Sequence, residues 1–397
     1  MLNYNTECMF MLTCKRVSVA LFSRDSLLLI IFALLSIFLV FIPSGFERQI
    51  EKKVVRCRGE VISVDNSQIN QMGMVKSGDQ RVILELLNGP FKSKVLQGNN
   101  PLLGQMSRDK IFEVGDLAFV ILSLDNDGNI IFVNPQEHFR LGWEVFLFSL
   151  FVLLLLIFAG WTGVRALVSF IFTALVLWKI LVPLLLRGYD PVALVLGIAT
   201  LLSAAVIFLI SGPNRKGVVA FSGAFLGILT SCLMSLFFTR KLHIHGAVLP
   251  FSETLLYSGY GHLNLTHIYI AAIFLAASGA VMDLAMDIAA SMDEIVRRYP
   301  RISRYEIIKS GLIVGRAVVG TMTTTLLLAY SGSYITLLMA FMAQGIPLAN
   351  TFNLIYVASE LLKTLVGSFG LVTVAPFTAI MGGFLYSSCK VKSVTDS

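Results

Sequence analysis

The sequence predicts a membrane all-α helical bundle of seven to nine spans with a small, exported β-rich domain. Of its 397 residues, 56% are apolar and 14% are charged, and the mean hydropathy is +0.79. Soluble domains carry about a quarter charged residues, so this composition indicates a protein of the bilayer. Apolar runs of about 20 residues, the length that crosses a bilayer, recur through most of the chain. One polar stretch separates the first run from the others.

Nine apolar runs are candidate spans, and seven of them are clear. They cover residues 26–43, 143–160, 163–185, 192–211, 217–238, 268–290, 311–330, 333–349 and 365–387. The run at 333–349 is short and contains Gln344 and Pro347, so it either spans or re-enters the membrane. The first run follows basic residues, as a signal peptide would. It lacks a small-residue cleavage pattern and is predicted to be an uncleaved anchor.

Basic residues between the runs predict the orientation, because cytoplasmic loops are enriched in Lys and Arg. A cytoplasmic N-terminus places on one side Lys15, Arg16, Arg24, Arg165, Arg215, Lys216, Arg297, Arg298, Arg301, Arg304 and Lys309. The short loops on the other side hold only Arg187, Arg240 and Lys241. The N-terminus is therefore predicted to lie in the cytoplasm, and the expected location is an inner or plasma membrane. The net charge of +7 reflects this topology, and no nucleic-acid partner is predicted.

The predicted domains follow from these runs. They are a cytoplasmic N-terminus with the first anchor (1–43), an extracytoplasmic β-rich domain (44–142), a polytopic transmembrane domain (143–388) and a tail (389–397). In the polar stretch, "EVISVD", "RVILELL", "LAFVILSLD" and "NIIFVN" are short β-branched or alternating runs typical of strands. The turn "DNDGN" suits a tight hairpin. Such short strands favour a small barrel or sandwich, with the OB fold as one candidate.

Four of the five histidines lie in the connection 239–267. We interpret them as ordinary loop residues near the membrane surface. The alternative is a transition-metal site in which His243 and His245 form a His-x-His pair, with His262 and His267 as further nitrogen ligands. The spacing matches no established motif, so no cofactor is predicted.

The functional question centres on "GAVMDLAMDIAASMDEI", which places Asp283 and Asp287 one turn apart in an apolar run. A charged residue at the centre of a span costs about 2.5–3.5 kcal/mol on the insertion scale. A helical wheel puts both carboxylates on one side, called here the acidic face: Ala276, Gly279, Ala280, Asp283, Asp287, Ala290, Ser291 and Glu294. Small residues let a neighbouring helix approach, so this face is predicted to be an interface or a cavity wall. Two carboxylates so close cannot both be charged at low cost, which is a property that a proton- or cation-coupled carrier uses.

The next helix is predicted to lie beside the acidic face. Gly311 and Gly315 form a GxxxG pattern there, and Arg316 follows within predicted reach of Asp287. The residues predicted to line a transport path are Asp283, Asp287, Arg316, Thr323, Thr324 and Glu360. Those predicted to allow close helix packing are Gly279, Gly311, Gly315, Gly320 and Gly367.

These residues favour a transporter or channel, with the lipid bilayer and a small solute or cation as partners and no oligomeric state assigned. The alternative is a non-transporting scaffold or sensor whose exported domain binds a partner. An Asp287–Arg316 salt bridge and hydroxyl contacts to Asp283 would then only hold helices together. Nucleotide-binding and common hydrolase motifs are absent from the sequence, and two acids on a single helix match an aspartyl dyad poorly, so the protein is not predicted to be an enzyme.

Three ordered blocks make the chain resemble the YibE/F-like family of bacterial multi-pass membrane proteins. They are "SGAVMDLAMDIAASMDEI" from Ser278, "GRAVVGTMTTTLLLAYSG" from Gly315 and "ASELLKTLVGSFGLVTVAPFTA" from Ala358, with weaker support from "FSETLLY". The resemblance covers residues 143–386 and implies the architecture of an integral membrane protein rather than a particular activity. Family members often have a serine at the position of Asp287, which favours Asp283 as the functional residue.

Overall fold

The computed structural model describes residues 24–46 and 54–395. The predicted cytoplasmic residues Lys15 and Arg16 lie outside this range. The chain divides into two compact units, one formed by Gly45–Phe158 and the other by Met1–Ser44 together with Ala159–Ser397. Each unit has its own hydrophobic core.

The first unit, called here the β-domain, contains one antiparallel sheet. Its strands are β1 (Val54–Met72), β2 (Val75–Leu86), β3 (Val95–Leu103), β4 (Leu117–Leu124) and β5 (Ile130–His138), in the order β3-β2-β1-β4-β5. The long strand β1 pairs with both β2 and β4, and its two register shifts against β2 allow it to curl. Because β3 and β5 approach each other, the sheet is a nearly closed barrel.

The core of the β-domain follows from the two-residue period of its strands. On β2 the buried residues are Val82, Leu84 and Leu86, and on β4 they are Ala118, Val120 and Leu122. Alternate side chains therefore point into the barrel.

The side chain of Gln80 is polar and, like that of Asn100, fully buried in the β-domain. Its Nε2 donates to the backbone oxygen of Phe112 at 2.8 Å, and its Oε1 accepts from the backbone N–H of Phe112 and from Asn100 Nδ2, both at 3.0 Å. These bonds satisfy the amide and fix the β3–β4 loop against β2.

The second unit is helical. Its elements, with the helix that enters it from the β-domain, are α1 (Arg24–Phe41), α2 (Leu141–Val176), a π-helical turn (Leu177–Leu181), α3 (Val182–Leu186), α4 (Pro191–Ser211), α5 (Arg215–Lys241), α6 (Ser252–Tyr257), α7 (Leu265–Arg298), α8 (Arg304–Ala343), α9 (Leu348–Asn353) and α10 (Ile355–Thr395). Among the described residues, six segments are long and apolar enough to cross a membrane: Leu141–Leu186, Pro191–Ser211, Arg215–Lys241, Leu265–Arg298, Arg304–Gly332 and Ile355–Ser387. Leu27–Phe41 and Tyr334–Ala343 are shorter apolar stretches.

Two pairs of predicted runs follow each other in the structure without an intervening loop. Runs 143–160 and 163–185 lie in one segment of 46 residues, in which the non-helical backbone of Gly160 separates two helices. Runs 311–330 and 333–349 share the continuous helix α8 as far as Ala343. The helix ends at Ala343. Gln344 caps it, and Gly345 follows with a φ of +65° that a helical backbone does not adopt, before Pro347 caps α9.

Helices α5, α7 and α10 form the centre of the helical core, with α4 and α8 against them. The apolar side of α7, including Val281, Leu284 and Ile288, is fully buried. Glycines permit the closest contacts: a Cβ on Gly223 would collide with Thr378, and one on Gly227 would lie 2.7 Å from Val281 Cγ1. The core therefore depends on glycines of α5 that face branched side chains of α7 and α10.

Candidate functional site

Helix α7 carries the acid pair, and its ends are well defined. Asn264 caps the N-terminus by accepting a hydrogen bond from the backbone N–H of His267 at 3.0 Å. Near the other end, Asp293 pairs with Arg297 at 2.9 Å, and Glu294 pairs with Arg298 at 2.6 Å. These i,i+4 pairs neutralise part of the predicted basic cluster.

The acidic face of α7 is open. Asp283 and Asp287 are both exposed, and a Cβ added at Gly279 would have no heavy atom within 4 Å. Among the described residues, no ion pair or hydrogen bond reaches either carboxylate group. The face predicted to be an interface or a cavity wall is thus uncovered by the described residues, and the opposite, apolar side packs into the core.

Arg316 does not pair with Asp287, which differs from the sequence prediction. The two residues lie at the same level, because the contact between α7 and α8 places a Cβ on Gly315 3.2 Å from Ile288 Cδ1. Arg316 and Asp287 each neighbour a contact residue and are rotated from it by about 100° around their helices. Both side chains are exposed instead, and no ion pair joins them in the described chain.

The other predicted residues of α8 divide into some that lie at helix contacts and some that are exposed. A Cβ on Gly311 would lie 2.7 Å from Met292 Sδ, so Gly311 and Gly315 both lie at tight helix contacts. Gly320 has no heavy atom within 4 Å of its Cβ position, and Thr324 is exposed. Thr323 donates to the backbone oxygen of Val319 at 2.6 Å.

Glu360 lies in a separate polar cluster at the start of α10. Its carboxylate accepts a bond from Lys363 Nζ at 2.6 Å, and the two side chains are only 19% and 18% exposed. The Lys363 ammonium lies 5.7 Å from the ring centre of Tyr269 on α7. Glu360 also interacts electrostatically with the hydroxyls of Tyr269 and Tyr330. The negative charge of Glu360 is therefore neutralised by Lys363 inside the helical unit.

Tyr269 ties this cluster to the packed core. Its ring is fully buried among apolar residues that include Ile273 and Leu362, and its hydroxyl donates to the backbone oxygen of Ser359 at 2.8 Å. Gly367, one turn beyond Lys363, lets α10 approach α8, since a Cβ there would lie 3.0 Å from Leu326 Cδ2. The sequence prediction included Glu360 and Gly367 but missed Lys363, whose i,i+3 spacing from Glu360 was a readable signal.

The two polar regions are distinct sites. Tyr269 and Asp283 are fourteen residues apart on α7, which corresponds to about 21 Å along the helix axis. The path predicted to include both acids would have to cover that distance.

The histidines of the α5–α7 connection do not form a common ligand set. His267 Nδ1 lies 2.8 Å from Asp190 Oδ1, whereas His262 Nε2 lies 3.3 Å from the backbone oxygen of Leu186. His243 and His245 are exposed, and the described residues contain no group of three or more His, Cys, Asp or Glu side chains placed to hold a metal. The alternative metal site gains no geometric support.

The apolar helices and the buried, glycine-mediated contacts between them define a membrane protein with a separate small β-domain. A sequence model of the YibE/F-like protein family matches residues 147–388. This match covers more than half of the chain, and the chain belongs to the YibE/F-like family. No curated protein and no solved structure matches it.

Proposed function

We propose that this protein is a transporter or channel that moves a small solute or ion across the membrane and uses the carboxylates of α7. The observation that carries the proposal is the acidic face itself. Asp283 and Asp287 lie one turn apart on the exposed side of a membrane-length helix, without an ion pair in the described chain. Small residues border them, so water, a cation or another protein surface can reach both carboxylates.

The free-energy cost of an exposed carboxylate within a span supports a role in ion movement. An exposed carboxylate at the centre of a span costs about 2.5–3.5 kcal/mol unless it faces water, a partner or a bound cation. A proton or a small cation removes this cost when it binds. Binding followed by release on the other side is the cycle that a coupled carrier performs.

The proposed topology completes this interpretation. We propose seven to nine spans, with Leu141–Leu186 counted as two because Gly160 interrupts it. The proposed orientation has a cytoplasmic N-terminus and an exported, OB-like β-domain in a bacterial inner membrane. The distribution of Lys and Arg between short loops supports this orientation.

The test is Asp283→Asn in the full-length protein, with membrane abundance and flux measured together. Proteoliposomes are assayed for protons with an entrapped pH dye, and for Na⁺, K⁺ and Mn²⁺ with ion-sensitive dyes. Normal abundance with lost flux supports the proposal. The matched control is Glu294→Gln, which neutralises a carboxylate on the same helix that is already paired with Arg298, and its flux should match that of the wild type. Wild-type flux in Asp283→Asn refutes a role for this residue.

A non-transporting scaffold or sensor is the second candidate. The observation that favours it is the Glu360–Lys363 pair, in which a carboxylate of this chain is neutralised within its own helix. In that case Asp283→Asn lowers membrane abundance, and the wild-type protein moves none of the tested ions.

A further inference from the structure

The unclosed side of the β-domain forms a cleft of 610 Å³ between the strand edges β3 and β5. The residues that line it come from four of the five strands: β1, β2, β3 and β5. All of them belong to the β-domain, so the cleft is built within a single compact unit.

The two strand edges are too close together for a sixth strand to enter between them. A Cβ on Gly98 of β3 would lie 2.9 Å from Pro135 Cδ and 3.1 Å from the backbone oxygen of Val133 on β5. An inserted strand needs about 4.8 Å to each neighbour. Pro135 also lacks the N–H that a peptide strand would use. The cleft beside this contact is therefore a side-chain pocket and not a strand-addition site.

Uncharged hydrogen-bonding groups dominate the polar lining of the cleft. Gln68, Gln97 and Asn99 supply amides, and Asn99 Nδ2 donates to Asp79 Oδ1 at 3.0 Å. Among the described residues that line the cleft, the charged ones are Asp79 and Arg81, which are opposite in sign. A nucleic acid or another polyanion would require an excess of basic residues, and the described lining holds one basic and one acidic residue.

An aromatic side chain also lines the cleft. Phe132 of β5 lines the cleft and is 51% exposed, so its ring is accessible to a ligand. Amides and a carboxylate can bond to adjacent hydroxyl groups, both as donors and as acceptors. An exposed aromatic ring offers an apolar surface to the C–H face of a sugar ring.

We propose that the cleft between β3 and β5 binds a neutral oligosaccharide. Its polar groups match the hydroxyls of a sugar, its balanced charge suits an uncharged ligand, and its volume falls within the range of about 300–1,000 Å³ that small-ligand sites occupy. This site is independent of the carboxylates on α7.

The experiment uses the full-length protein in detergent and measures binding by isothermal titration. The probes are maltohexaose, cellohexaose and the hexamer of N-acetylglucosamine. An oligothymidylate and an alternating Val-Thr peptide represent the competing ligand classes. The variants are Phe132→Ala and Gln97→Ala, both at exposed positions, and the control is Val114→Ala, which is exposed outside the cleft.

Saturable binding of at least one sugar, weakened about tenfold or more by Phe132→Ala and Gln97→Ala but unchanged in Val114→Ala, supports the proposal. The absence of saturable binding to all three sugars overturns it. Sugar affinities unaltered in both cleft variants also overturn it. Preferential binding of the oligothymidylate or the peptide assigns the cleft to another ligand class and therefore also overturns the proposal.

Discussion

Removal of the Lys363 ammonium should destabilise the helical unit measurably. In Lys363→Met, Glu360 loses the partner that lies 2.6 Å away while its side chain remains 81% buried, as its 19% exposure implies. Breaking a buried ion pair from one side costs about 3–5 kcal/mol. Because the Glu360 side chain keeps 19% of its surface exposed, we expect a smaller cost of roughly 2–3 kcal/mol. At about 2–4 °C per kcal/mol for a unit of this size, the melting temperature should fall by about 4–12 °C.

The assay is thermal unfolding in detergent, followed by the loss of the monodisperse peak in size-exclusion chromatography. The double variant Glu360→Gln/Lys363→Met should recover most of the loss, because neither charge is then left alone. Lys309→Met removes an exposed lysine and serves as the matched control. A Lys363→Met variant as stable as this control, or a double variant no better than the single one, would contradict the reasoning.

Two further predictions concern packing and pH. Gly223→Val should cost at least about 1–3 kcal/mol, because its side chain would collide with Thr378, whereas Gly279→Ala should melt with the wild type. Equal melting temperatures for both variants would refute the contact. The backbone N–H of Ala193 and the ring of His267 hold the pKa of Asp190 below its usual value of 3.8. The ionised Asp190 therefore stabilises the fold above pH 3.8, and this stabilisation is lost as the pH falls through the lowered pKa. The melting-temperature difference between wild type and Asp190→Asn should therefore be largest near neutral pH and shrink below about pH 4; a pH-independent difference would refute this.

The strands of the β-domain were predictable where composition and periodicity agree. "EVISVD", "RVILELL", "LAFVILSLD" and "NIIFVN" fall on β1, β2, β4 and β5, and Gly128 adopts the positive φ of +84° that the predicted hairpin needs. Strand β3, "VLQGNNPLL", was missed, because Gly98, two asparagines and Pro101 read as a turn. Pairing with β2 and the bonds of Asn100 to Gln80 override that local preference.

The helices show a similar limit. Hydropathy located the apolar segments, but it separated 333–349 from the preceding run because polar residues at 331–333 lower the average. A few polar residues do not interrupt backbone hydrogen bonds, so α8 continues to Ala343. Helix ends follow from local breakers such as Gly345, which hydropathy ignores.

The helical wheel separated the two sides of α7 correctly, and the apolar side is the buried one. A wheel cannot tell which neighbour covers a face, and small residues suggested a contact where the described chain has none. The partners of Glu360 illustrate the same limit, since Tyr269 and Tyr330 lie on other helices and their proximity depends on tertiary packing. Of the partners of Glu360, only Lys363 could have been predicted from the sequence, because it lies three residues away on the same helix.

The contrast between the two acidic sites decides which residue to test first. Glu360 is neutralised by Lys363 within the same helix, so its charge is accounted for without any other molecule. Asp283 and Asp287 lie on an exposed face with no ion pair in the described chain, although both belong to a membrane-length helix. A purely structural pair would be expected to find its partner inside the fold, as Glu360 does. The acidic face of α7 therefore requires water, a cation, a proton or another protein surface, and flux through Asp283 variants distinguishes a transported ion from a static contact.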